Sequence, residues 1–243
     1  MRILGAFIII IIAFGLSVPA QVVLPMGAMT VRSAAPAIVS QQICSGVLTA
    51  NPSTTCTLSG GVTAGNYVMQ YAGLGAVVTT WNTPTQSAGT STIGAFVLKG
   101  TCPGGTSRQC IWLAPVTGTG SLTTTISATV GSTNLGGALY QLSNVTGGFD
   151  GLVYDLPAFC TTCTGASITT TGSNRMVVTC MLYGTTFQAF SAPGPFATFD
   201  FNSTDTVNTV ACGHLLQSSP GTYTPTWMAS QGSGQALSSI GLF

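Results

Sequence analysis

Residues 121–130 alternate between mostly apolar and hydroxyl-bearing side chains. Leu122, Ile126 and Val130 fall on one side of the alternation, whereas Thr123 and Thr125 fall on the other. A period of two residues is the period of an extended strand, and it produces one buried face and one solvated face. The segment therefore predicts a half-buried strand of an antiparallel sheet.

Strand signals recur along the chain without extended helical periodicity, and glycine-rich turns such as 118–120 and 232–234 separate them. Residues 176–183 are almost continuously apolar, which is typical of a central strand buried on both faces. This pattern predicts an all-β fold, an antiparallel β-sandwich of the jelly-roll type. The other predicted strands are 67–72, 76–81, 93–99, 110–114, 137–143, 168–171, 175–183, 197–201, 207–216, 223–229 and 236–243.

Three segments are predicted along the chain. Residues 1–20 begin with Met1-Arg2, continue as an apolar run and end in small residues, which is typical of a secretory signal peptide. A retained membrane anchor is the less favoured alternative, because the apolar run is shorter than the ~20 residues of a spanning helix. Residues 21–60 have weaker signals and are predicted to be edge strands or a stalk, and residues 61–243 are predicted to form the sandwich. After signal cleavage we expect no stable membrane span.

All eight cysteines lie beyond the predicted signal peptide. An even number of cysteines in an exported chain predicts disulfides. The CxxC spacing of Cys160 and Cys163 also matches redox motifs, but no βαβ pattern surrounds it, so a structural bridge is favoured. Proximity in the sequence favours the pairs Cys44 with Cys56, Cys102 with Cys110, Cys160 with Cys163, and Cys180 with Cys212.

Only 4% of the residues are charged, and none is Glu, whereas an ordinary globular domain has roughly a quarter. General acid–base catalysis and metal cages need ionisable side chains, so the composition disfavours an enzyme and predicts no cofactor. Four scattered basic residues remain after signal cleavage, too few for a phosphate-binding patch, and we expect no nucleic-acid partner.

Asp150 and Asp155 flank an apolar stretch after a Gly-Gly turn and are the candidate metal ligands. Calcium takes six to eight oxygen ligands, and only two carboxylates are at hand. Turn-capping aspartates are therefore the favoured interpretation, with calcium as the alternative.

Asp200 and Asp205 lie close together in the sequence. Structural turn residues are the favoured interpretation, and a glycosidase-like pair of carboxylates is the alternative. His214 is the single histidine and lies in an apolar strand pattern. No Gly-x-Ser-x-Gly nucleophile motif accompanies it. A hydrogen-bonded structural histidine is favoured, and no catalytic residue is assigned.

Aromatic and amide side chains are the remaining groups in this sequence that could bind a ligand. Sugars stack on aromatic rings and hydrogen-bond to neutral donors and acceptors. Trp81 is expected to be exposed, because a polar segment follows it. The candidate ligand-binding residues are Trp81, Asn82, Gln86 and Tyr154.

Three segments, TAGNYVMQYAGL (63–74), GALYQLSNVTGGFDGLVYD (137–155) with SITTTGSNRMVVTCMLYG (167–184), and YTPTWMASQGSGQALSSIGLF (223–243), resemble secreted bacterial β-sandwich domains. Those domains are concanavalin-like or jelly-roll modules of surface proteins. The resemblance implies a fold and no catalytic motif. Gln141 stands where those domains frequently have an acidic residue, which puts an ion or ligand site at that acid in doubt here.

These features together predict an exported, non-catalytic surface recognition or adhesion module, secreted or on the cell surface. Its partner is expected to be a glycan or surface polymer, with carbohydrate as the leading ligand class. A self-assembling structural subunit of an extracellular layer, filament or virion is the alternative, because a nearly uncharged surface lacks repulsion between copies. A glycoside-active enzyme is the third candidate.

Overall fold

The computed structural model describes residues 34–75, 80–100, 102, 109–131, 133–155, 160–183, 190–194, 198–204, 209–233 and 235–243. Every helix or strand assigned within these residues is a β-strand, so the all-β prediction is confirmed. Within them no helix is long and apolar enough to cross a membrane. The first half contains β1 (Ala37–Thr49), β2 (Ser53–Val62), β3 (Tyr67–Leu74), β4 (Thr80–Ala88), β5 (Thr92–Ile93), β6 (Val97–Leu98), β7 (Gln109–Gly118), β8 (Gly120–Thr129) and β9 (Thr133–Ser143). The second half contains β10 (Phe149–Asp155), β11 (Cys160–Thr164), β12 (Ile168–Thr170), β13 (Arg175–Tyr183), β14 (Phe190–Gly194), β15 (Thr198–Thr204), β16 (Thr209–Gln217), β17 (Gly221–Tyr223), β18 (Thr226–Ser233) and β19 (Gln235–Leu242).

The strands pair antiparallel throughout the described residues and form two inner and two outer layers. The first outer sheet has the order β2-β8-β4. The first inner sheet has the order β1-β9-β3-β7, with β5 and β6 both pairing with the free side of β7. The second inner sheet has the order β10-β19-β13-β16-β15, and the second outer layer consists of β11-β18-β14 and β12-β17.

Three apolar cores separate the four layers. The first core lies between the first outer and first inner sheets and contains Trp112 and Ile126. The second core lies between the two inner sheets and contains Tyr140 and Val178. The third gap, between the second inner sheet and the second outer layer, holds two clusters, one around Trp227 and one around Ile168.

Alternation along the inner strands explains why both of their faces are apolar. In β3, Val68 and Ala72 point to the first core, whereas Met69 and Tyr71 point to the second. The same holds for β13, whose residues 176–182 are all buried, as the continuous apolar pattern predicts. In β8, buried residues alternate with partly or fully exposed ones, so the predicted half-buried strand is also confirmed.

The two halves repeat one pairing order. The inner sheet of the first half has the order β1-β9-β3-β7, and that of the second half has the order β10-β19-β13-β16. In each, the first strand of the half pairs with the last strand of the same half, which pairs in turn with a strand from the middle of the half. In the outer layers, β2-β8-β4 has its counterpart in β11-β18-β14. The jelly-roll type of connection itself stays a prediction.

The four predicted disulfides are all present. Cys44–Cys56 joins the first inner sheet to the first outer sheet, and Cys180–Cys212 joins paired positions of β13 and β16 within the second core. Beside the first of these, buried Gln70 donates to the Ala138 carbonyl at 3.0 Å and accepts from Thr124 Oγ1 at 2.7 Å. The polar amide is therefore satisfied inside an apolar core.

Three strands, namely β10, β11 and β14, were not predicted, whereas β1 and most of β2 lie within residues 21–60, for which edge strands or a stalk are predicted. β1 and β2 are edge strands of their sheets, and their exposed sides carry mixed polar residues that weaken any two-residue period. β10 contains Asp150 and Asp155, which the sequence had suggested as loop residues. A segment without a clean alternation is thus strand here because its neighbours supply hydrogen bonds and a buried face.

Candidate functional site

Trp81, the first predicted ligand-binding residue, is half-buried in β4. Its ring packs edge-to-face on Trp112, with the centroids 5.9 Å apart, at the margin of the first core. The indole Nε1 is buried and has no hydrogen-bond partner among the described residues. The expectation of an exposed stacking ring is therefore wrong, because the following polar residues continue a strand rather than a loop.

The other three candidate residues do not join Trp81 in one site. Asn82 and Gln86 also lie on β4, where Asn82 Nδ2 donates to Ser127 Oγ at 3.0 Å and Gln86 Nε2 donates to the Ser91 carbonyl at 2.8 Å. Tyr154 lies on β10, its hydroxyl donates to the Lys99 carbonyl at 3.3 Å, and burial raises its pKa above the ordinary value. The first inner sheet separates Tyr154 from β4.

Asp150, a candidate calcium ligand, is engaged within the fold. Its carboxylate pairs with Arg175 Nε at 2.9 Å and accepts hydrogen bonds from the Thr171 amide and hydroxyl at 2.9 and 2.8 Å. Burial raises the pKa of Asp150, but the hydrogen bonds from Thr171 and Arg175 outweigh it and lower the pKa below its usual value. The Asp155 side chain lies outside the described residues. Calcium at Asp150 and Asp155 therefore stays a prediction.

Asp200 hydrogen-bonds to residues from both halves of the chain. Its carboxylate accepts hydrogen bonds from His214 Nδ1 at 2.5 Å and from the Tyr140 hydroxyl at 3.0 Å. Its backbone carbonyl accepts a hydrogen bond from Gln41 Nε2 at 3.0 Å. The Asp200 side chain is 1% exposed and that of His214 is 16% exposed. Asp205, its predicted partner in a carboxylate pair, lies outside the described residues.

This cluster forms a polar bridge at the margin of the second core. Tyr140 and Gln41 belong to the first inner sheet, whereas Asp200 and His214 belong to the second. Burial of Tyr140 raises its pKa well above the ordinary value, and the negative charge of Asp200 and the hydrogen bond that Asp200 accepts from the tyrosine hydroxyl raise it further. Asp200 orients His214 as the acid of a catalytic triad would, but no serine, threonine or cysteine bonds to the ring in the described part of the chain. Sequence reasoning missed Tyr140 and Gln41, because nothing in a strand pattern tells which sheet packs opposite.

The outward face of the first outer sheet is a layer of hydroxyl and amide groups. Cross-strand partners Thr57 and Thr123 bring their Oγ1 atoms to 2.9 Å, and Thr55 lies opposite Thr125. Paired threonines stabilise neighbouring strands and leave oxygens toward solvent. We name this surface the first hydroxyl face; it consists of Thr55, Thr57, Asn82, Thr123, Thr125 and Ser127.

The second outer layer carries an equivalent surface at the other end of the stack. Thr169 and Thr222 meet at 2.9 Å between hydroxyls, and Ser167 and Thr224 meet at 2.6 Å. Ile168 and Tyr223, their neighbours in the chain, point inward to the core, so the hydroxyls point outward. The second hydroxyl face consists of Thr164, Ser167, Thr169, Thr222, Thr224 and Thr226.

Neither face carries a charged side chain. Among the described side chains the charges are bound elsewhere: Asp150 pairs with Arg175, Asp200 with His214, and Lys99 Nζ donates to the Gly147 carbonyl at 2.9 Å beside the Phe149 ring. Arg175 also stacks over the Phe243 ring at 4.0 Å. The two faces therefore offer neutral hydrogen-bonding groups on rigid strands. In the described residues, no group of three or more potential metal-binding side chains occurs.

Comparison with known proteins found no matching family model, no matching curated protein and no matching solved structure. The resemblance to bacterial surface modules therefore stays a prediction.

Proposed function

We propose that this chain is an exported, non-catalytic recognition or adhesion module whose ligand class is neutral carbohydrate. The first hydroxyl face is the observation that supports this most directly. It is broad, uncharged and held in place by the Cys44–Cys56 bridge and the first core.

Neutral polysaccharide suits such a face for chemical reasons. Each sugar hydroxyl is both donor and acceptor, as is each threonine hydroxyl, whereas the threonine methyl group offers apolar contact to the sugar ring. A charged polymer would leave its charges without partners on this face, which costs binding energy. The proposed ligand-binding residues are accordingly Asn82, Thr57 and Thr125, rather than the half-buried Trp81.

Export is supported by the sulfur chemistry. Four bridges within the chain are characteristic of an oxidising compartment outside the cytoplasm. The signal peptide itself, residues 1–20, lies outside the described residues.

The environment of Asp200 favours a non-catalytic role for this protein. A glycosidase places two carboxyl groups across the bond to be cleaved, whereas the Asp200 carboxylate is 1% exposed and bound by Tyr140 and His214. The cluster links the inner sheets instead of lining an open surface.

A structural subunit of an extracellular assembly is the second candidate, and exposed apolar residues on sheet edges favour it. Val39 and Leu48 on β1 are 50% and 61% exposed, and Val97 and Leu98 on β6 are 53% and 39% exposed. Both strands are edges of the first inner sheet and carry no charge. Uncharged edges with apolar side chains can pair with another copy.

Affinity electrophoresis separates the candidates. Gels contain soluble mixed-linkage β-glucan, mannan or xylan, with alginate as a charged comparison. We expect at least one neutral polymer to retard the protein, and Thr57→Val with Thr125→Val to weaken retardation about tenfold or more, since the two lost hydrogen bonds together cost about 1 to 3 kcal/mol. Thr63→Val, an exposed loop substitution away from both faces, is the matched control.

Retention by no neutral polymer, or unchanged retention of the double variant, contradicts the carbohydrate proposal. Light scattering coupled to size-exclusion chromatography tests the second candidate, which requires oligomers that dissociate when Leu48 and Val97 are replaced by Lys.

A further inference from the structure

We propose that the molecule is bivalent. The first and second hydroxyl faces each bind a neutral polysaccharide chain, so that one copy of the protein cross-links two polysaccharide chains. This rests on the proposed function and extends it from binding to bridging.

The stacking of the sheets places the two faces back to back. Trp112 and Ile126 fill the gap beneath the first face, and Trp227 and Ile168 fill the gap beneath the second. The second core lies between them. Three sheet-to-sheet spacings of about 10 Å put the faces roughly 30 Å apart. They point in opposite directions, so one straight polymer segment cannot contact both.

The two faces present the same chemistry. The hydroxyl pair Thr169–Thr222 on the second face has the same 2.9 Å separation as Thr57–Thr123 on the first. Both outer layers repeat one strand order, and none of their strands contains a charged residue. Exposed Met228 is an apolar addition to the second face. A ligand recognised by neutral hydroxyls on one face therefore meets equivalent groups on the other.

The spacer between the faces is rigid. Cys44–Cys56 ties the first outer sheet to the first inner sheet, and the indole of Trp227 reaches from β18 to Thr179 Oγ1 of β13 at 3.4 Å. Asp200 bridges the inner sheets through Tyr140 and Gln41. Because the faces cannot fold toward each other, binding at both must join separate segments, and affinity for a polymer network exceeds that of one face.

The experiment compares binding with cross-linking for four proteins. These are the wild type, a first-face variant (Thr57→Val, Thr125→Val), a second-face variant (Thr169→Val, Thr222→Val) and the combined variant. The probe is whichever of soluble β-glucan, mannan or xylan retards the wild type. Dynamic light scattering of the polymer with added protein reports cross-linking, and affinity electrophoresis reports binding. Valine keeps the shape and strand propensity of threonine, and circular dichroism checks folding.

We expect the wild type to enlarge the polymer particles severalfold. Each single-face variant should still bind, about tenfold more weakly, and lose the enlargement, and the combined variant should not bind. The bivalent proposal is overturned if a single-face variant still cross-links, or if one face accounts for all binding. If the wild type binds none of the polymers, the proposed function fails first and this inference with it. Cross-linking retained by both single-face variants would show that copies associate through another surface.

Discussion

Removal of the Cys180–Cys212 bridge should destabilise this protein more than removal of any other disulfide. The two residues are paired across β13 and β16 and are buried in the second core. The bridge closes a loop with a sequence separation of 32, whereas Cys160–Cys163 closes one with a separation of 3. The double substitution to alanine at each pair therefore tests whether unfolded-chain entropy sets the contribution.

The expected magnitudes follow from loop length. In the chain-entropy model the longer loop contributes about 3.7 kcal/mol and the shorter about 1.6 kcal/mol. Truncating two fully buried sulfur atoms between the inner sheets adds about 1 to 2 kcal/mol of cavity cost. We therefore expect Cys180→Ala with Cys212→Ala to lose about 5 kcal/mol of unfolding free energy. Cys160→Ala with Cys163→Ala should lose about 2 kcal/mol.

Urea denaturation at neutral pH without reductant, followed by tryptophan fluorescence, measures both variants. The slope of each transition is fitted separately, because an unfolded chain without the cross-link exposes more surface. Equal losses for the two variants, or a larger loss for Cys160 and Cys163, would refute the loop-length reasoning.

Three further predictions use single contacts. Gly137→Ala should cost about 1 to 3 kcal/mol of unfolding free energy in urea, because its Cβ would lie 2.5 Å from the Tyr71 carbonyl oxygen. Gly60→Ala is the control, because the space around that position is open. Equal urea midpoints for the two variants would contradict the packing at Gly137. Asp150→Asn should lower stability at pH 7 by about 1 to 2 kcal/mol. The pKa of Asp150 is lowered in the folded state. Its contribution to the unfolding free energy is therefore present above the unfolded pKa of about 3.9 and is lost as the pH falls through the folded pKa. If thermal melts show that the variant loses as much stability on acidification as the wild type, this assignment is wrong. Tyr140→Phe should cost about 1.5 to 3 kcal/mol because it removes a donor from a buried carboxylate, and Tyr154→Phe, which loses only a bond to a carbonyl, should cost less in the same melts.

Local patterns carried much of the fold prediction. The period of β8 and the continuous apolar run of β13 each depend on which faces of one strand are buried, and sequence records that directly. The short disulfide loops also follow from proximity along the chain. Cys180 and Cys212 could be paired because both lie on apolar strands that need a buried neighbour.

Long-range placement could not be read in the same way. Tyr140 and Asp200 are 60 residues apart and lie on two different sheets, and no local pattern records which sheets pack together. Trp81 was expected to be exposed because polar residues follow it, but β4 continues through them and turns the indole onto Trp112. The repeat of strand order also leaves no residue signal, since the halves share a pairing order and not a sequence.

The most direct test of the account is whether neutral polysaccharide binds without any contribution from charge. Retardation in a β-glucan, mannan or xylan gel should be the same at low and high salt, because no charged group of the described surface takes part. Retardation by alginate alone, or retardation by a neutral polymer that vanishes as salt is raised, would contradict recognition by uncharged hydroxyl faces.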